Sequence, residues 1–153
     1  MSRLTWPDLL IDDISPEQFR GWLAPWAGIV VGRVGPAFAN KFGFLFLRRP
    51  EGQIEMLDVF TGQLTQVADT YEAFVREVNE HWWQEVYLLS KVVHQLLQAG
   101  KVPGPGQCYA LCPHPALGSP NPANGEAIDP RFVMVMDMTI WQSLCAQALG
   151  IGR

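Results

Sequence analysis

The chain has 153 residues, a formal net charge of −4, and 48% hydrophobic against 17% charged residues. That length is one domain of ordinary size, able to bury a core without staples, and the apolar content excludes global disorder. The acidic balance argues against nucleic acid as a partner, because phosphate contacts need clustered Lys and Arg; the one basic cluster, Arg48–Arg49, ends a strand.

No apolar run approaches the ~20 residues of a membrane helix, and no charged segment followed by an apolar run opens the chain as a leader would. Cys108, Cys112 and Cys145 are an odd number of cysteines. The expectation is a cytoplasmic protein with reduced thiols and no membrane contact. Residues 1–153 read as a single domain, with no internal repeat.

In chain order, Ser15-Pro16-Glu17-Gln18 starts a helix: Ser as N-cap, Pro at the first position, Gln closing a capping box. Phe19, Trp22 and Leu23 follow at helical spacing, and Pro25 ends the helix. Ile29-Val30-Val31 reads as a short strand between glycines, and Val34 to Asn40 as loop, broken by Gly35-Pro36.

Phe44 to Leu47 is apolar without alternation, as in a strand covered on both faces. Pro50-Glu51-Gly52 makes a turn. Ile54 to Phe60 is the next strand, with a phase change that a bulge near Met56 or Leu57 would absorb. Thr61-Gly62 turns again, and Gln63 to Val67 returns. The three strands form an antiparallel meander whose greasy face needs a helix over it.

That helix starts at Asp69, with Glu72 three residues on, and carries Tyr71, Phe74, Val75 and Val78 along one stripe. A second runs from about Trp82 to Ala99, with Val86, Leu89, Val93, Leu96 and Leu97 on its core side and Gly100 as its C-cap. Cys108 to Cys112 reads as a strand. Pro113 to Arg131, with five prolines, is a long irregular loop of the kind that carries function. Phe132 to Met136 is a final buried strand. Asp137 then caps a helix with Ile140, Trp141, Leu144, Cys145 and Ala148, closed by Gly150. The fold class is α+β: an antiparallel sheet covered by helices.

No stretch carries a catalytic motif. Cys108, Cys112, His114 and Cys145 have ligand chemistry, but no CxxC pair occurs. A strand also holds Cys108 and Cys112 too far apart for one tetrahedral ion, so buried thiols are expected rather than a metal. Cys112 and His114, two apart, would be thiol and base if a third group oriented the histidine, with Asp58 as a candidate base. The commoner role of Asp58 is to bind the turn that follows it. Gly104-Pro105-Gly106 precedes a strand, not the helix a phosphate loop needs. Trp82 and Trp83 are adjacent, so one helix cannot turn both to the core; a rim tryptophan is the residue type of binding hot spots.

The order of several pieces resembles a bacterial family, the C-terminal domain of type VI secretion DNase immunity proteins; SUKH-type immunity folds share the layout more distantly. The pieces are Pro50 to Gly62, the helix with Phe74, Trp82-Trp83, Gly104 to Tyr109, Ala116-Leu117-Gly118 and Asn124, within residues 42–149. Residues 1–40, an N-terminal helix and short strand, lie outside it. The chain departs from the family at Gly118-Ser119, where two glycines are frequent, and at Met134 to Met138, where a histidine is common. The resemblance implies a protein without catalysis or cofactor that binds and neutralises a cognate toxin. The surfaces it would use are Trp82, Trp83, His114, Leu117, Asn121, Asn124 and Glu126. The alternatives are a small enzyme or ligand binder near Cys112, His114 and Asp58, and a structural homo-oligomer.

Overall fold

The computed structural model describes residues 4–151; the ends of the expected 1–153 domain, residues 1–3 and 152–153, lie outside them. Six helices and seven strands follow in the order α1 (Trp6–Leu9), β1 (Leu10–Ile11), α2 (Pro16–Leu23), β2 (Gly35–Asn40), β3 (Leu45–Arg48), β4 (Ile54–Leu57), β5 (Leu64–Ala68), α3 (Tyr71–Glu77), α4 (His81–Tyr87), α5 (Ser90–Gln98), β6 (Gln107–Leu111), β7 (Val133–Asp137) and α6 (Met138–Ala148). Strands β1 to β5 make one antiparallel sheet in sequential order, and β6 pairs with β7 in a separate two-stranded ribbon.

The expected meander is present as β3, β4 and β5. Leu45, Phe46 and Leu47 are all buried, so β3 is covered on both faces. On one face the rings of Phe38 and Phe46 stack at 4.4 Å, and Trp83 lies 5.8 Å from Phe46. Phe74 of α3 meets Phe38 at 5.5 Å. Thus α3, through Phe74, and α4, through Trp83, cover this part of the sheet.

Two expectations near the N-terminus are reversed. Ile29 to Val31 is turn, not strand, and Gly35–Asn40 is strand β2, not loop. Pro36 argues against a strand because it cannot donate to a ladder. It fits here because β1 covers only Ala39 and Asn40, leaving Pro36 on an open edge beside a register shift. The four-residue α1 and two-residue β1 are too short for any periodicity to mark them.

Other differences are local. Strand β4 stops at Leu57, since Asp58 to Thr61 form the turn, and the register shift opposes Val67 at Ile54/Glu55 rather than lying at Met56 or Leu57. The N-cap of α3 is Thr70, whose hydroxyl accepts from the Ala73 N–H at 3.0 Å; Asp69 instead accepts from the Gln66 amide at 2.6 Å. On α3 only Phe74 is buried, while Tyr71 and Val75 reach solvent.

The single helix expected over residues 82–99 is two, α4 and α5. Leu89 sits between them in the left-handed region at φ 54°, burying Leu88 and Leu89 while turning Val86 outward. The α5 end is as expected: Gly100 has φ 81°, its N–H donates to Leu97 and that of Lys101 to Leu96. Strand β7 is not wholly buried; Val133 is, but Met134 is exposed on the ribbon's open side.

A polar knot inside the core joins the sheet to α6. Asn40, fully buried, accepts from the N–H groups of Phe42 and Phe44 and donates to the Tyr87 carbonyl. Trp141 donates to Phe42 O at 2.8 Å. Gln142, also fully buried, donates to Gly43 O at 2.7 Å and accepts from Trp26 Nε1 at 2.7 Å. The β2–β3 turn, buried in apolar surroundings, thereby has its backbone groups satisfied by side chains.

Candidate functional site

Strand β6 delivers Cys112 and His114 just beyond its end, and the Asp58 turn lies against them. His114 Nε2 stands 2.8 Å from the Val59 carbonyl and Nδ1 accepts from the Ala116 N–H at 3.0 Å. A carbonyl only accepts, so Nε2 carries the proton. Both ring nitrogens are therefore used by backbone, and neither is left to take a proton from Cys112. Burial holds the imidazole below its ordinary value and pushes the Cys112 thiol up. Those shifts oppose a thiolate–imidazolium pair, which needs a cation beside the sulfur.

Asp58 does what Asp most often does before a turn. Its carboxylate accepts from the N–H groups of Phe60 at 2.8 Å and Thr61 at 3.2 Å. Burial raises the carboxyl, and those two hydrogen bonds partly offset the rise. His114 thus ties the Asp58–Gly62 turn to the β6–β7 loop. Cys112, His114, Leu117, Trp141, Leu144 and Leu149 line a groove of about 700 Å³ that Asp58 does not enter. The three residues of the enzyme alternative do not form a hydrogen-bonded set. Cys108 and Cys145 are buried in the core with thiols pushed far up by burial. Among the described residues no group of three or more His, Cys, Asp or Glu is arranged to hold a metal ion.

The β6–β7 loop is built, not slack. Three short 3-10 turns start at Pro115, Pro122 and Pro130, and the side chain before each proline caps it. His114, Asn121 and Asp129 each accept from the backbone N–H two residues on. The loop holds four polar-Pro pairs, His114-Pro115, Ser119-Pro120, Asn121-Pro122 and Asp129-Pro130, and only three of them start a turn, so the pattern alone does not say which cap. Asn121 is buried, and its N–H donates to Glu126 Oε1 at 2.6 Å. Of the loop residues expected at a partner surface, His114 and Asn121 face inward and hold the loop. Leu117, Asn124 and Glu126 are exposed.

The tryptophan pair divides as its adjacency required. Trp83 is fully buried among Phe38, Phe46, Phe74 and Tyr87 and cannot meet a partner. Trp82 is 51% exposed and Val86, one turn on, 53% exposed, giving an apolar ridge along α4. The continuous stripe expects Val86 in the core; the break at Leu89 frees it. Glu80 is the N-cap of α4 and Glu85 lies on it, 2.8 Å from the exposed His81 imidazole. Beside α4, Trp6, Pro7, Asn79 and Gln84 line a groove of about 540 Å³. Nothing in the sequence pattern tied Trp6 to this face.

No protein-family model matches the chain, and no curated protein matches it. Among the described residues no helix is long and apolar enough to cross a membrane.

Proposed function

We propose that the chain is a bacterial protein-binding module of immunity type, acting in the cytoplasm without chemistry of its own, that binds and neutralises a cognate toxin such as a secreted nuclease. The observation that carries this reading is the Trp82–Val86 ridge, half-exposed apolar surface on a helix that also carries Glu85 and is preceded by Glu80. A desolvated tryptophan surrounded by polar residues is the arrangement of a binding hot spot. Those two carboxylates complement the basic surface that a nuclease needs for its own substrate. The resemblance to the DNase immunity family points the same way.

The test is inhibition. The product of the adjacent gene is tested for nuclease activity, purified, and its DNA cleavage followed with and without the protein. Inhibition is expected, with Trp82→Ala weakening it by about 30-fold, the effect of losing about 2 kcal/mol at a hot spot. An active neighbouring nuclease that neither binds nor is slowed by the protein ends the reading.

A further inference from the structure

Three arginines converge on one groove at the open edge of the main sheet. Arg33, Arg48 and Arg49, with Gly35, Pro36 and Pro50, line a hollow of about 370 Å³. Arg49 is fixed. Its Nε donates to Glu55 at 2.6 Å, and Nη1 donates to the carbonyls of Val31 at 2.7 Å and Arg33 at 3.2 Å. Those bonds clamp the 31–34 loop. Gly32 allows the approach, with φ 88° and a Cβ position 3.4 Å from Arg49 Nη1. Among the described residues Nη2 makes no hydrogen bond, so its two N–H groups remain for a ligand, while Nε and Nη1 are taken. Arg48 lies with its guanidinium carbon 4.1 Å from the centre of the Tyr71 ring, which orients it without using its donors. Arg33 and Arg48 are exposed, and among the described residues no carboxylate lies within ion-pair distance of either; the adjacent Glu51 pairs with neither.

Arg48 presents a fork oriented by the Tyr71 ring, Arg49 presents Nη2 from a fixed position, and Arg33 adds a cation without a carboxylate partner; with Glu55 offsetting one of the three charges, about two remain, which suits a doubly charged phosphate better than a singly charged carboxylate. The sequence gives no Gly-rich phosphate loop, and none is needed where side chains supply the donors. We infer that this groove is an oxyanion site that takes a phosphate group. It is carried by residues distinct from those of the Trp82 ridge, and it stands or falls independently of the toxin-binding proposal.

The full chain is titrated with inorganic phosphate, phenyl phosphate and acetate at constant ionic strength, and the backbone and arginine side-chain N–H signals are followed by NMR. The expected result is saturable movement of the Arg33, Arg48 and Arg49 signals, with Kd on the order of 1 mM for phosphate and no saturation with acetate. Tighter binding of phenyl phosphate than of inorganic phosphate would assign the site to a phosphate ester; the reverse would assign it to the free ion. Arg33→Ala and Arg48→Ala, both at exposed positions, should each weaken binding by about tenfold with an unchanged circular dichroism spectrum. Absence of saturation, equal movement with acetate, or wild-type affinity in both variants would overturn the inference.

Discussion

A Cβ on Gly43 would stand 2.8 Å from Trp141 Cδ1 and 3.1 Å from Gln142 Nε2, and the residue's φ is 90°. Both the backbone conformation and the space exclude a side chain. Gly43→Ala should cost about 2–4 kcal/mol, combining left-handed strain with overpacking, measured by urea unfolding. The two tryptophans give a paired test of the same kind. Trp83→Ala empties a site ringed by aromatics and should cost about 3–5 kcal/mol, while Trp82→Ala should stay within about 0.5 kcal/mol. His114 gives a pH signature. Burial lowers its folded value, so as pH falls below the ordinary imidazole value of 6.5 the unfolded chain takes up a proton that the folded one refuses. Its stabilising contribution is complete above that value and is lost as pH falls toward the folded value. Asp58, raised by burial, acts oppositely, gaining as pH falls. Comparing urea midpoints at mildly acidic and neutral pH in wild type and His114→Asn isolates the histidine: the wild type should lose more stability on acidification. Equal losses would show that His114 does not titrate as its burial requires.

At the scale of elements, capping decides where helices begin. The α2 box is complete, with Gln18 N–H to Ser15 at 3.1 Å and Ser15 N–H to Gln18 at 2.9 Å, as Ser-Pro-x-Gln announced. For α3 two adjacent residues could cap, and the chain uses the second. Thr70→Ala should therefore cost about 1 kcal/mol, and Asp69→Ala much less; the opposite order in thermal melts would move the helix start back to Asp69. The meander and the capped α6 were legible because strand runs and caps are local signals. The α4–α5 break was not. Apolar positions from Val86 to Leu97 fit one continuous stripe, and only the left-handed Leu89, which no sequence rule favours, divides it. The division is what exposes Val86, so the ridge itself was half hidden. In the same way Pro36 concealed β2, because a proline argues against a strand unless the edge is known to be open.

At the scale of the whole molecule, the described residues share one core, and α6 closes it through Trp141 and Gln142 against the β2–β3 turn. These bonds span 99 residues of sequence, so nothing local announced them. The same long-range closure takes His114 and Asn121 out of the surface that loop position alone had assigned to them. What remains outward includes the Trp82–Val86 ridge on α4, other exposed apolar side chains such as Leu117, Phe132 and Ile140, and the guanidinium groups of Arg33 and Arg48 at the sheet edge. The α4 ridge is the face proposed to dock a toxin. Hydrogen exchange measured on the protein alone and in the presence of a toxin whose activity it inhibits tests it most directly. Added protection should concentrate in His81–Tyr87 and the Asn79 segment, with the Arg33 and Arg48–Arg49 segments unchanged. Protection confined to other elements, or none anywhere at a saturating toxin concentration, would contradict it.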